Sequence, residues 1–188
     1  MRTLFHRFAG FSERFAGRPA YPVLVGAVAA ADYLIPGAPS NAMLVASVLP
    51  WPSRWRRLGV AFAVGDAVGA VVLAGAVALV GEPVVAWIQA GEAAALWERI
   101  AGYVAAYGLL VLGALAVTPL PARIATAVLA LTGTAPLVIG LVVLAGRLVS
   151  YPTVAYLAAR APALLLRFRP LARWMGPRTP PADPSSTP

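Results

Sequence analysis

Tyr33-Leu34-Ile35-Pro36-Gly37-Ala38-Pro39-Ser40-Asn41 interrupts an apolar stretch with two prolines and a glycine, and one acid, Asp32, stands at its edge. From Pro22 to Ile35 the chain is apolar except for Asp32. At ~1.5 Å per residue this segment covers only ~21 Å, short of a hydrocarbon core about 30 Å thick. Pro36, Gly37 and Pro39 stop the helix, Ser40 or Asn41 is placed to cap a new one, and Ala42 to Leu49 supply a second short apolar helix. Two short helices joined by a capped break predict a re-entrant hairpin over about 22–49, entering and leaving the membrane on one side.

The composition makes a membrane the natural solvent for such a hairpin. Of 188 residues, 60% are hydrophobic and 12% charged, and the mean hydropathy is +0.78. A water-soluble fold would have too little polar surface to cover it, so the sequence predicts an all-α integral membrane protein of one domain. The absence of cysteine removes disulfides, thiolate metal sites and cysteine nucleophiles together. The single histidine, His6, lies in the N-terminal segment, and no metal or cofactor is expected. All fifteen basic residues are arginine and the net charge is +8. They flank apolar spans rather than form a recognition module, so membrane lipids, not nucleic acid, are the expected partners.

Working outward, Met1 to Arg18 alternates Leu4, Phe8, Phe11 and Phe15 with arginines, which suits an amphipathic interfacial segment over 1–20. Glu13 and the spacing of the apolar residues argue against a cleaved signal peptide. Beyond the hairpin, Pro50-Trp51-Pro52-Ser53-Arg54-Trp55-Arg56-Arg57 reads as an interfacial loop. Leu58 to Val80 is long enough to span, with Asp66 between Gly65 and Gly69, a pair of small residues suited to close helix packing within the chain or between two copies. Gly81 to Gly102 carries Glu82, Glu92 and Glu98 against Arg99 alone. Tyr103 to Val117 then repeats the first pattern: a short apolar helix, a break at Thr118-Pro119-Leu120-Pro121, a second short helix from Ile124 to Leu131, and a turn at Thr132-Gly133-Thr134-Ala135-Pro136. A second hairpin is therefore expected over about 103–133, with Thr118 capping its second helix and Pro119 in that helix's first turn. Leu137 to Ala159 is a second full span, carrying Arg147 and Pro152. Residues 161–176 form a basic interfacial segment and 177–188, rich in Pro, Ser and Thr, a disordered tail.

The order, hairpin then span, occurs twice, and charge orients it. Arginines mark the N-terminus, the 50–57 loop and the C-terminal end as cytoplasmic, while the acidic 81–102 stretch faces out. One hairpin then enters from each side, which makes the two halves of a 21–160 domain inverted repeats. Six plain crossings preserve the same sidedness. Either way the chain is a multi-pass protein of the plasma membrane, the bacterial inner membrane, with both termini cytoplasmic.

Four ionisable side chains fall at membrane depth: Asp32, Asp66, Arg123 and Arg147. Facing lipid, each would cost ~2.5–3.5 kcal/mol, so they should face the protein interior or a water cavity. They serve either as a substrate-binding and proton-coupling cluster or as two internal salt bridges. The hairpin tips, Pro36, Gly37, Pro39, Ser40 and Asn41 in one and Thr118, Pro119 and Pro121 in the other, aim helix N-termini at the centre, and with Arg123 and Arg147 they favour an anion. No catalytic residue is expected: Gly-x-Ser-x-Gly, His-Glu-x-x-His and phosphate-loop motifs are all missing.

Asp32, Ile35-Pro36-Gly37-Ala38-Pro39-Ser40, Gly65-Asp66-Ala67-Val68-Gly69, Thr118-Pro119-Leu120-Pro121-Ala122-Arg123 and Gly146-Arg147 resemble, in order, the landmarks of the DedA superfamily, also called VTT or SNARE-associated domain proteins. The likeness covers about residues 20–160 and is greatest to the small YqaA-type branch. It implies two opposed re-entrant hairpins and a role in lipid handling, such as translocation of undecaprenyl phosphate, proton-dependent transport or lipid scrambling. By motif Asp32 matches the acid before the first tip, Arg123 the base after the second proline pair, and Arg147 the base in the following span. The sequence departs from many members after Pro36-Gly37, where Ala38 to Asn41 offer no second acid. The resulting expectation is a non-enzymatic transporter, flippase or scramblase for an anionic lipid or small anion, as a monomer or homo-oligomer. The alternative is a structural membrane protein whose buried charges are internal salt bridges.

Overall fold

The computed structural model describes residues 20–33, 40–83, 85–86, 94–118 and 122–160. Pro36, Gly37, Pro39, Pro119 and Pro121, the segment before residue 20 and residues 161–188 lie outside these, as does the side chain of Asp32. The described residues form an all-α fold of seven helices and one 3₁₀ turn: α1 (Tyr21–Asp32), α2 (Ser40–Val48), the 3₁₀ turn (Pro52–Arg54), α3 (Trp55–Val80), α4 (Ala94–Tyr107), α5 (Leu109–Val117), α6 (Arg123–Leu131) and α7 (Pro136–Arg160).

Local chemistry accounts for most of the boundaries. Pro22 in the first turn of α1 and Pro136 at the start of α7 cost no hydrogen bond, because the first helical N–H groups have no intrahelical acceptor. Gly81 ends α3 with φ 69°, its N–H donating to the Val77 carbonyl at 2.8 Å. Two of the expected boundaries move. The 50–57 stretch is only partly a loop: the 3₁₀ turn runs directly into α3, which starts at Trp55 rather than Leu58. The apolar run 103–117 is not one helix but is divided at Gly108 (φ 57°), so α4 is a separate element and only α5 precedes the second break. The expected 132–136 turn is present, with Gly133 at φ 82° and the Thr132 hydroxyl donating to the Leu129 carbonyl at 2.8 Å.

The helices α3 and α7, 26 and 25 residues long, are long and apolar enough to cross a membrane. At ~1.5 Å per residue they extend ~39 and ~38 Å against a core of about 30 Å. The part of α3 that faces away from the protein carries Val60, Val64, Val68, Val72, Leu79 and Val80. A core helix of a soluble protein would turn polar residues outward there, so this composition supports a membrane protein.

The most extensive packing joins α3 to α7, and the next α1 to α3. The α3–α7 pair is antiparallel: Gly59 backs onto Pro152, where an added Cβ would stand 2.9 Å from the Pro152 Cα, and Gly140 lies against Val71. By contrast α1 runs parallel to α3, Gly26 facing Gly65 and Ala30 facing Gly69. A Cβ on Gly69 would stand 2.6 Å from the Ala30 carbonyl oxygen, and one on Gly65 would run into the Gly26 backbone. Gly65 and Gly69 therefore pack within the chain. Likewise α5 lies beside α7, Gly113 near Val142 and Ala116 against Gly146.

Two apolar cores result, one toward each end. The first joins α1 and α2 to the opening half of α3 and the closing half of α7, around Val25, Leu44, Val45, Leu58, Phe62 and Tyr151. The second joins α4, α5 and α6 to the closing half of α3 and the opening half of α7, around Leu73, Leu112, Ile124, Ile139 and Val143.

Candidate functional site

Between the two cores lies an ion pair. Asp66 is the twelfth residue of α3 and Arg147 the twelfth of α7, and both are buried. Their depth follows from sequence position in two antiparallel helices of nearly equal length. Arg147 Nε stands 2.6 Å from Asp66 Oδ2, and the same oxygen accepts a hydrogen bond from the Tyr151 hydroxyl at 2.9 Å. The guanidinium lies over the Tyr151 ring, 4.8 Å from its centroid, and that ring meets Phe62 edge to face at 5.8 Å. Tyr33, buried just past the end of α1, is near enough to interact electrostatically with both Arg147 and Tyr151.

Arg147 also reaches the second break. Its Nη1 donates to the Thr118 carbonyl at 3.2 Å, and Ser150 donates to the Ala116 carbonyl at 3.1 Å. The last carbonyls of a helix have no intrahelical donor. Here α7 supplies donors from two side chains less than one turn apart, and the positive guanidinium sits where the α5 dipole is negative. The end of α5 is thereby fixed at the depth of the middle of α7.

Thr118 has a different role from the one expected. It caps the end of α5, with extended backbone (φ −92°, ψ 163°) and its hydroxyl donating to Leu115 at 3.0 Å. The reason is Pro119, since a residue before proline is driven out of the helical region. The residue preceding α6 is Ala122, which offers no side-chain cap. Ser40 and Asn41 are the first two residues of α2, and the Ser40 side chain and residues 34–39 before it lie outside the described ones.

Of the four candidate charges, Asp66 and Arg147 are brought together. Arg123 is the first residue of α6, half-buried, and Asp32 is the last residue of α1. Tyr151, Ser150 and Tyr33 were not among the candidates. Tyr151 stands four residues after Arg147, on the same helical face, and that spacing is the signal that would have found it. No protein-family model, no curated protein and no solved structure matches this chain.

Proposed function

We propose that the chain is an inverted-repeat membrane protein that moves an anionic lipid or small anion through its centre without catalysing a covalent reaction. The observation that carries this reading is the Asp66–Arg147 pair, buried between two span-length helices and tied to a helix break at the same depth. Charges there are costly and mark transport pathways more often than they serve as braces. The packing supports the repeat. Gly59, Gly65, Asp66 and Val71 precede Gly140, Gly146, Arg147 and Pro152 by 81 residues each. The contact of Gly59 with Pro152 has its counterpart in that of Gly140 with Val71, as a two-fold axis requires. Each short first arm, α1 or α5, runs beside the span of its own half, and each second arm, α2 or α6, packs on the span of the other half. The order and chemistry of these landmarks are those in which the sequence resembles DedA-type proteins. Arg123, at the start of a helix where its own charge opposes the dipole, is the side chain assigned to the anion.

A second reading is favoured by one observation. Arg147 is engaged by Asp66, Thr118 and Tyr151 at once, which is how an internal brace would be built. Reconstitution into vesicles with a fluorescent phospholipid or a polyprenyl phosphate separates the two. Carriage predicts flipping by the wild type that falls at least tenfold in Arg123→Ala, whereas equal rates for wild type, Arg123→Ala and empty vesicles leave only the brace.

A further inference from the structure

Away from the centre, a cationic cluster caps one end of the long helices. Arg54 lies 5.1 Å over the Trp51 ring and Arg56 lies 5.1 Å over the Trp55 ring. Trp55 meets Tyr156 of α7 edge to face at 5.2 Å, and Arg160, the last residue of α7, follows Tyr156 by one turn. Arg56, Arg57 and Arg160 are exposed, and the stretches 40–65 and 136–160 contain no Asp or Glu. A guanidinium placed over an indole face still has N–H groups to offer, and these suit bidentate contact with a phosphate.

The same row of α3 continues below the charge. From Arg56 the i, i+4 positions are Val60, Val64, Val68 and Val72, exposed by 44, 47, 51 and 50%. Val60 to Val72 rises ~18 Å, close to the ~15 Å of one leaflet's hydrocarbon. We propose that this row seats one anionic phospholipid, its phosphate held by Arg56 and Arg57 with Arg160 beside them, and an acyl chain laid along the valines. Charge selects this occupant over a second copy of the chain. A parallel two-fold dimer through the row would bring the two arginine clusters face to face. The seat is separate from the Asp66–Arg147 centre, and it rests on the chain being membrane-embedded, not on what the centre carries.

Native mass spectrometry of the full chain, equilibrated in micelles with equal phosphatidylglycerol and phosphatidylcholine, tests the seat. One phosphatidylglycerol retained per chain in preference to phosphatidylcholine is expected. Arg56→Gln should weaken that retention about fivefold and the Arg56→Gln/Arg57→Gln pair about twenty-fivefold, from the strength of a single arginine at an anionic surface. Arg99→Gln, altering an exposed arginine of α4, should leave it unchanged. Equal retention of the two lipids by the wild type overturns the proposal whether or not the variants fold. So does full retention by a folded double variant, or a two-chain species that persists without phosphatidylglycerol. Losing the seat would leave the Arg123→Ala flipping result standing, so the two proposals fail separately.

Discussion

Asp66, Arg147 and Tyr151 are linked pair by pair: Asp66 Oδ2 takes both the guanidinium and the phenol, and the phenol's ring lies under the guanidinium. Removing one partner leaves the other charge buried without compensation, at a cost of about 3–5 kcal/mol, while replacing both with apolar residues of similar size is often neutral or stabilising. Thermal unfolding in detergent should therefore show Asp66→Leu and Arg147→Leu each well below the wild type and the double variant recovering most of the loss. Additive losses would mean the pair does not hold α3 to α7. Asp66 and Arg147 were legible in the sequence because charges within apolar runs are expensive and therefore conspicuous. Tyr151 is marked only by standing four residues after Arg147, and nothing in that spacing names Asp66, 85 positions away, as its partner.

At the scale of the element, breaks made by proline were visible and a break made by glycine was not. Pro36, Pro39, Pro119 and Pro121 remove donors and restrict their neighbours whatever surrounds them. Gly108 sits in an apolar run where a glycine serves equally for close packing or for a turn, and only the fold gives it φ 57°. Thr118 is ambiguous in sequence for a related reason, since a threonine next to a proline can end one helix or begin the next, and here it ends α5. Small residues in α3 divide in the same way. Gly65 and Gly69 admit the α1 backbone, whereas Gly75 has open space around it. Gly65→Val should lose about 1–3 kcal/mol or more by overpacking, and Gly75→Ala should be neutral or gain about 0.5–1 kcal/mol from helix propensity. Equal responses in a melting comparison would mean the close α1–α3 approach is not formed.

For the molecule as a whole, the arginine and glutamate counts predicted which ends of the spans share a side, but they could not separate re-entrant arms from full crossings, because both leave the loops on the same sides. The two differ in the depth at which the short helices end. Ala30 faces Gly69 near the middle of α3, and the Thr118 carbonyl meets Arg147 at the middle of α7, so α1 and α5 end about halfway along the span beside each. Thiol labelling reads that depth in a chain with no native cysteine. With Ala38→Cys and Leu120→Cys, one at each break, the inverted-repeat account predicts reaction of both with a small water-soluble methanethiosulfonate and of neither with a bulky impermeant maleimide from either side. Ready maleimide labelling of Ala38→Cys from outside and Leu120→Cys from inside would establish full crossings, silence toward both reagents would remove the water-accessible centre, and either result would contradict the account.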